Sequence, residues 1–298
     1  MHIANPIYDV VFKYLMEDNR IAKLLISSII KQEIESIEIL PQENISEIAH
    51  TSLTVYRLDL KAKVKTPEGW KTVLIEIQKA KFAADIMRFR QYLGENYQDK
   101  KNAYVEIIND KNVKKAIPLI CIYFLGYRLD HIQNAIIKAE PQYIDIATGE
   151  RILEREEFIE SLTHNSYIIQ IPQLKEKRRT ELEQLLIVFD QSNVTSDSHI
   201  LNIKEEDYPE NYREIIRRLQ RAIAEPEMRR KMNLEDEIIE ELQENERYIA
   251  FQQKKLEEKD KSLEEKDKLI KEKDKLIDEL TSKLNKISDT RTGNEKEN

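Results

Sequence analysis

Asp59, Glu76 and Gln78 stand in the stretch Val55 to Lys79, VYRLDLKAKVKTPEGWKTVLIEIQK. In its first arm Tyr56, Leu58, Leu60, Ala62 and Val64 alternate with Arg57, Asp59, Lys61 and Lys63. This is the period-2 pattern of a strand with one buried and one wet side. The second arm sets Val73, Ile75 and Ile77 on one face and Leu74, Glu76 and Gln78 on the other. Between the arms, Thr66-Pro67-Glu68-Gly69 suits a β-turn, with Pro second and Gly fourth. A turn centred between Pro67 and Glu68 pairs residues whose numbers sum to 135, which sets Asp59 opposite Glu76. Their Cβ atoms then lie roughly 4.5–5.5 Å apart. Two facing carboxylates repel, and a divalent cation held between them is one reason for the arrangement. An ordinary amphipathic hairpin with charges on its solvent side is the other. A one-residue slip of register moves Asp59 to the opposite face.

The elements that position this hairpin are legible on either side of it. Asn5-Pro6 opens a helix, with Ile7, Val10, Val11, Tyr14 and Leu15 as its apolar stripe. Asp9 and Lys13 share another face four residues apart, the spacing of an ion pair worth a few tenths of a kcal/mol. A second helix runs from about Arg20 to Gln32, with Leu24, Leu25, Ser28 and Ile29 inward, and IESIEILPQE reads as the first strand. Glu43 to His50 is a polar connector, in which Glu47 reads as surface loop. After the hairpin, Ala80 to about Lys101 is helical, with Phe82, Ile86, Phe89, Leu93 and Tyr97 toward the core. The run Ala116 to Tyr127 lacks alternation and fits a fully buried strand, while Pro118 favours an early or edge position.

Composition narrows the classes. With 298 residues, 40% hydrophobic and 35% charged, the chain suggests one or two domains with one modest core and a polar remainder. No apolar run approaches about 18 residues, so no membrane-spanning helix is expected. The opening MHIANPIYDVVFKYL does not join a basic region to an apolar one, so no signal peptide is expected either. Cys121 is the single cysteine and reads as a buried core thiol, which excludes a disulfide framework or a cysteine zinc site. His2, His50, His131, His164 and His199 show no metal-ligand spacing. A soluble cytoplasmic protein with no membrane partner is expected. The net charge of −8 argues against a wholesale nucleic-acid coat, yet Arg57 to Lys101 holds 11 basic against 6 acidic residues. That excess suits phosphate backbones or, equally, a solvated surface.

Further along, Arg151 to Ser166 reads as helix, Tyr167 to Pro172 as a short extended segment, and Lys175 to Phe189 as an amphipathic helix. Gln191 to Ser198 is a plain loop, and Tyr212 to Glu225 and Glu227 to Asn233 are helical. Arg217, Arg218 and Arg221 are either a DNA contact or an ordinary charged face. From about Asp236 a heptad array begins, with Leu242, Ile249, Leu256, Leu263, Ile270, Ile277 and Leu284 in one register. The partner positions are poor, since Asn245, Gln252, Lys259, Lys266 and Lys273 precede Leu280 and Ile287. A weak coiled coil joining copies through residues 236–288, or a lone helix held by Glu–Lys pairs, both fit. Residues 289–298 are expected to be disordered.

Asp59 followed by Glu76-x-Gln78 on a hairpin resembles the core of the PD-(D/E)XK nucleases, with Gln where that family's usual Lys stands. The opening YDVVFKYL and the Asp/Asn turn after it resemble the recombination-promoting, transposase-like branch, and Arg88…Tyr92 takes the place of its Arg…Tyr helix. The resemblance covers roughly residues 5–150. It implies an α/β fold with a mixed sheet flanked by helices, carrying a nuclease-like domain over 1–150. A helical extension over 151–235 and the coiled-coil tail over 236–288 follow. It implies Mg²⁺ or Mn²⁺ held by Asp59, Glu76 and the Ile77 carbonyl, with DNA as substrate and Arg88 and Tyr92 at its phosphate. Asp9 and Lys13 are then second-rank site residues. The motif Lys would orient or deprotonate the attacking water. Lys61 shares the Asp59 face and is a substitute, as is Lys13, whereas Lys79 points to the opposite face. Gln78 holds water or ligand oxygens but is no base at neutral pH. Three functions follow: a metal-dependent DNA endonuclease, a catalytically inactive module that binds DNA or protein, and a coiled-coil scaffold.

Overall fold

The computed structural model describes residues 1–40, 60–82, 85–174 and 180–294. They form two compact units, Met1–Glu240 and Glu241–Asn298. In the first, β1 (His2–Ala4), α1 (Asp9–Met16), α2 (Asn19–Ile30) and β2 (Ser36–Leu40) lead into the hairpin of β3 (Leu60–Thr66) and β4 (Gly69–Gln78). Then come α3 (Asp85–Gln98), a second hairpin of β5 (Ala103–Ile108) and β6 (Lys111–Ala116), and β7 (Leu119–Leu125). Next are β8 (Ile136–Ala139), the short pair β9 (Tyr143–Ile144) and β10 (Arg151–Ile152), α4 (Glu157–Leu162) and β11 (His164–Gln170). The series closes with α5 (Glu181–Leu186), β12 (Ile200–Asn202), α6 (Arg213–Ile223) and the first turns of α7 (Pro226–Asn294), whose residues from Glu241 on belong to the second unit.

One six-stranded mixed sheet, ordered β2-β3-β4-β7-β11-β8, is the spine of the first unit. β2, β3 and β4 form an antiparallel meander, β4, β7 and β11 run parallel, and β8 closes the far edge antiparallel to β11. The hairpin register is Leu60↔Ile75 through Thr66↔Gly69, the pairing that the turn residues imply. Gly69 has φ 122°, a backbone angle that glycine takes without strain. In β3 the alternation holds, with Leu60, Ala62 and Val64 buried and the lysines between them outside. In β4 it does not. Thr72 through Gln78 are all buried, because β4 is a central strand covered on both faces.

α1 and α2 cover one face of the sheet. Phe12, Phe124 and Phe189 meet there, with ring centroids 5.4 Å apart for Phe12–Phe124 and 4.9 Å for Phe124–Phe189. Phe12 and Met16 belong to the buried stripe of α1 beside Val11 and Leu15, while Val10 and Tyr14 are only partly covered. On α2 the buried face is Ile21, Ala22, Leu25, Ile26, Ile29 and Ile30, a rotation of the expected stripe. Asp18 caps this helix by accepting from the Arg20 amide at 3.0 Å, and Lys31 ends it at φ 54°.

Four features add to or change the expectations. Pro118 takes the early rather than the edge position: it stands just before the first residue of β7, so its missing N–H removes nothing from the ladder and β7 is central. Residues 103–116 form a hairpin, turned by Asn109 and Asp110 at φ 51° and 58°. Arg151 to Ser166 is not one helix, and β11 within and beyond it lies between β7 and β8. Residue 150 therefore falls between strands of one sheet. On α3, Ile86 and Tyr97 are exposed, and the helix turns Asn96 inward instead.

The chain beyond β11 is bound into the same unit. β1 pairs with β12, Asn5 donates to the Gln191 side chain at 2.8 Å, and Arg218 donates to the Tyr14 carbonyl at 2.7 Å. Arg218 is thus a brace between α6 and α1. The short α5 begins at a capping box between Thr180 and Glu183, and residues 175–179 of its expected start lie outside the described residues.

Candidate functional site

Glu76 projects from β4 beside Tyr123 of β7, its register partner, and is 6% exposed. It lines a small, mostly apolar cleft, with room for about one water, together with Leu74, Phe89, Tyr92, Cys121 and Tyr123. α3 makes the outer wall, where the Phe89 and Tyr123 rings lie 5.4 Å apart. Burial pushes the Cys121 thiol up to about 12, so at neutral pH it is an uncharged part of the lining. Gln78, two residues on and on the same face, accepts from the Tyr127 hydroxyl at 3.2 Å. The cleft lies over the middle of the parallel pair β4–β7, where Leu74 pairs with Cys121 and Glu76 with Tyr123.

The other expected residues are distributed as follows. Asp59 and the Arg88 side chain lie outside the described residues, as do Glu43 to His50. Lys61 shares the face of Leu74, its cross-strand partner, but its Nζ is bound to Asp99 at 2.9 Å. Burial opposes ionisation of Asp99, but the Lys101 amide and Lys61 outweigh it and hold that carboxyl below its ordinary range. Tyr92 stands in the cleft wall. Asp9 and Lys13 pair at 2.8 Å on α1, as their spacing implies.

That pair belongs to a second polar cluster, on the side of β4 to which Lys79 turns. Glu235 accepts from the Asp9 amide at 3.0 Å, and Asp236 accepts from the Tyr8 hydroxyl at 3.0 Å. Lys79 also binds Asp236 and stands 3.7 Å over the Tyr8 ring. His199 Nε2 lies 2.9 Å from Asp236. Burial raises the pKa of Asp9, with Lys13 opposing the shift, and burial together with Asp9 pushes Glu235 up to about 8. Burial also opposes ionisation of Asp236, but hydrogen bonds from Lys79 and His199 prevail and hold it low. Lys79 and Asp236 are 157 positions apart, and no local pattern announces such a meeting.

Compared with family models, curated proteins and solved structures, the chain matches none.

The chemistry of the cleft is therefore argued from its own donors. Among the described residues no group of three or more His, Cys, Asp or Glu side chains is placed to hold a metal ion. Glu76 contributes one carboxylate, and Ile77 and Gln78 contribute carbonyl oxygens. These are hard donors of the class that Mg²⁺ takes, usually with one or two carboxylates and several waters. The described residues thus offer one carboxylate and carbonyl oxygens, the low end of such a donor set. Among the described residues no helix is long and apolar enough to cross a membrane.

Proposed function

We propose that the chain is a metal-dependent DNA endonuclease of the transposase-like PD-(D/E)XK type. The observation that carries this reading is Glu76, a buried carboxylate on a central strand of a mixed sheet, in a small cleft over the parallel pair β4–β7. The hairpin register supports it, because Leu60↔Ile75 is the pairing from which Asp59 was set against Glu76. In this reading Asp59, Glu76 and the Ile77 carbonyl hold Mg²⁺ or Mn²⁺. Such an ion, when bound, acidifies a water and stabilises charge on a scissile phosphate. Gln78 orients water or ligand oxygens, with the Tyr127 hydroxyl fixing its amide. Arg88 and Tyr92 are the residues this reading assigns to the substrate phosphate. DNA is the partner, and the basic excess around the hairpin draws it in.

A second reading, an inactive DNA- or protein-binding module, is favoured by one observation. The most direct stand-in for the missing motif lysine, Lys61, is already engaged with Asp99. Nicking of supercoiled plasmid with Mg²⁺ separates the two. The endonuclease reading expects cleavage by the natural chain and background levels for Asp59→Ala and Glu76→Ala. DNA binding without cleavage by any variant supports the module, and cleavage unchanged in both variants refutes this site. In either reading the stripe Ile249, Leu256, Leu263, Ile270 and Ile277, exposed on α7, serves weak self-association.

A further inference from the structure

Residues 140–162 form an ordered excursion between β8 and β11 that contains no buried residue. It is held by its own polar contacts. Arg155 donates to the Pro141 carbonyl at 3.2 Å and to Glu160 at 3.0 Å, and the Tyr143 hydroxyl also binds Glu160. Yet it turns large apolar side chains outward: Ile146 is 98% exposed, Leu153 76% and Phe158 69%, with Leu162 one helical turn beyond Phe158. Single exposed apolar residues are ordinary, but a concentration of them in one short lobe marks an interaction surface. The lobe is also acidic, with seven Asp and Glu against two Arg.

The β5–β6 hairpin has the opposite character. Residues 100–116 hold five Lys against two acidic residues. One face of the hairpin is committed to its own chain, because Lys115 binds Glu106 and Glu157 of α4, each at 2.8 Å. The other face carries Val105 and Lys114, which are cross-strand partners, and Ile107, which is 73% exposed. The Lys115–Glu157 bridge therefore sets an acidic apolar surface next to a basic apolar one. Two adjacent complementary patches are self-complementary about a two-fold axis: the lobe of each copy meets the hairpin of the other.

We infer that this pair of patches is a two-fold interface between copies of this chain. The interface is separate from the α7 stripe and independent of any nuclease activity. Light and ¹⁵N-labelled full-length chains, mixed and treated with a zero-length carbodiimide, test it by mass spectrometry. The interface predicts links from Lys114 to Glu150, Glu154 or Glu156 that join one light and one heavy peptide. It also predicts that Leu153→Asp with Phe158→Asp removes these mixed links and weakens association at least about tenfold in sedimentation, as loss of central apolar anchors does. Both positions are exposed, so at concentrations where the natural chain is monomeric the unfolding midpoint of that variant stays where it was. Same-isotope links alone, no links at these positions, or association unchanged in the double variant would each overturn the interface and leave α7 as the associating element.

Discussion

Glu235 and Asp236 are adjacent in the chain, and their carboxyls respond to folding in opposite directions. Glu235 rises from 4.5 to about 8, because burial and the nearby Asp9 both disfavour its charge. In the unfolded chain it ionises near its ordinary value, so between about pH 5 and 8 the folded state binds more protons. Stability contributed by this group accordingly falls as pH rises through that window. Asp236, held low by Lys79 and His199, has the opposite sign: its contribution is present above the unfolded pKa and is lost as pH falls through the folded one. Urea unfolding across pH 5–8 should show a decline that Glu235→Gln flattens, by about 1–3 kcal/mol over the window. An unchanged slope in Glu235→Gln would mean that another group carries the decline. Neither residue could be singled out beforehand, since each owes its environment to Tyr8, Asp9, Lys79 and His199 from distant parts of the chain.

Among the elements, the end of β4 is the most constrained. Gly126 donates its amide to the Gln78 carbonyl at 2.6 Å. A Cβ at Gly126 would stand 2.5 Å from the Lys79 carbonyl oxygen and 2.9 Å from that of Gln78, both backbone atoms that cannot turn aside. Gly126→Ala should therefore push β4 and β7 apart at their carboxyl ends, at a cost of about 1–3 kcal/mol. Thermal unfolding would detect the loss; under the proposed endonuclease reading cleavage should fall with it, because Gln78 is the residue displaced. Retention of the natural unfolding temperature would show that the strand ends relax freely. The β3–β4 hairpin was legible because its signals are local: alternation, a Pro-Glu-Gly turn and a register fixed by that turn. The burial of both β4 faces was not legible. Glu76 and Gln78 look like solvent-side residues until α3 is placed over them. The α3 stripe held at Phe89 and Leu93 but not at Ile86 and Tyr97, since this helix packs through Phe89, Tyr92 and Leu93 and leaves the other two outside.

At the scale of the molecule, the core continues past residue 150 to Met228 and Met232 at the start of α7. All of that core lies within Met1–Glu240, while Glu241–Asn298 is a separate unit. A chain ending at Glu240 should keep its cooperative transition, with a midpoint within about 2–4 °C of the full chain. Differential scanning calorimetry makes the comparison, and a collapse of the transition would show that the second unit supports the first.

The sequence by itself determined what depends on near neighbours. It settled the hairpin and its register, the ion-pair spacing of Asp9 and Lys13, the buried thiol of Cys121, and a heptad stripe on a long charged helix. Tertiary structure decided what depends on which elements meet. It placed β11 inside the sheet, drew Lys61 to Asp99 and Lys79 to Asp236, and left the acidic lobe and the basic hairpin with exposed apolar faces. The physical reason is that alternation and turn chemistry act over a few residues. Burial and charge pairing are set by packing between segments whose separation in the chain carries no trace of the contact.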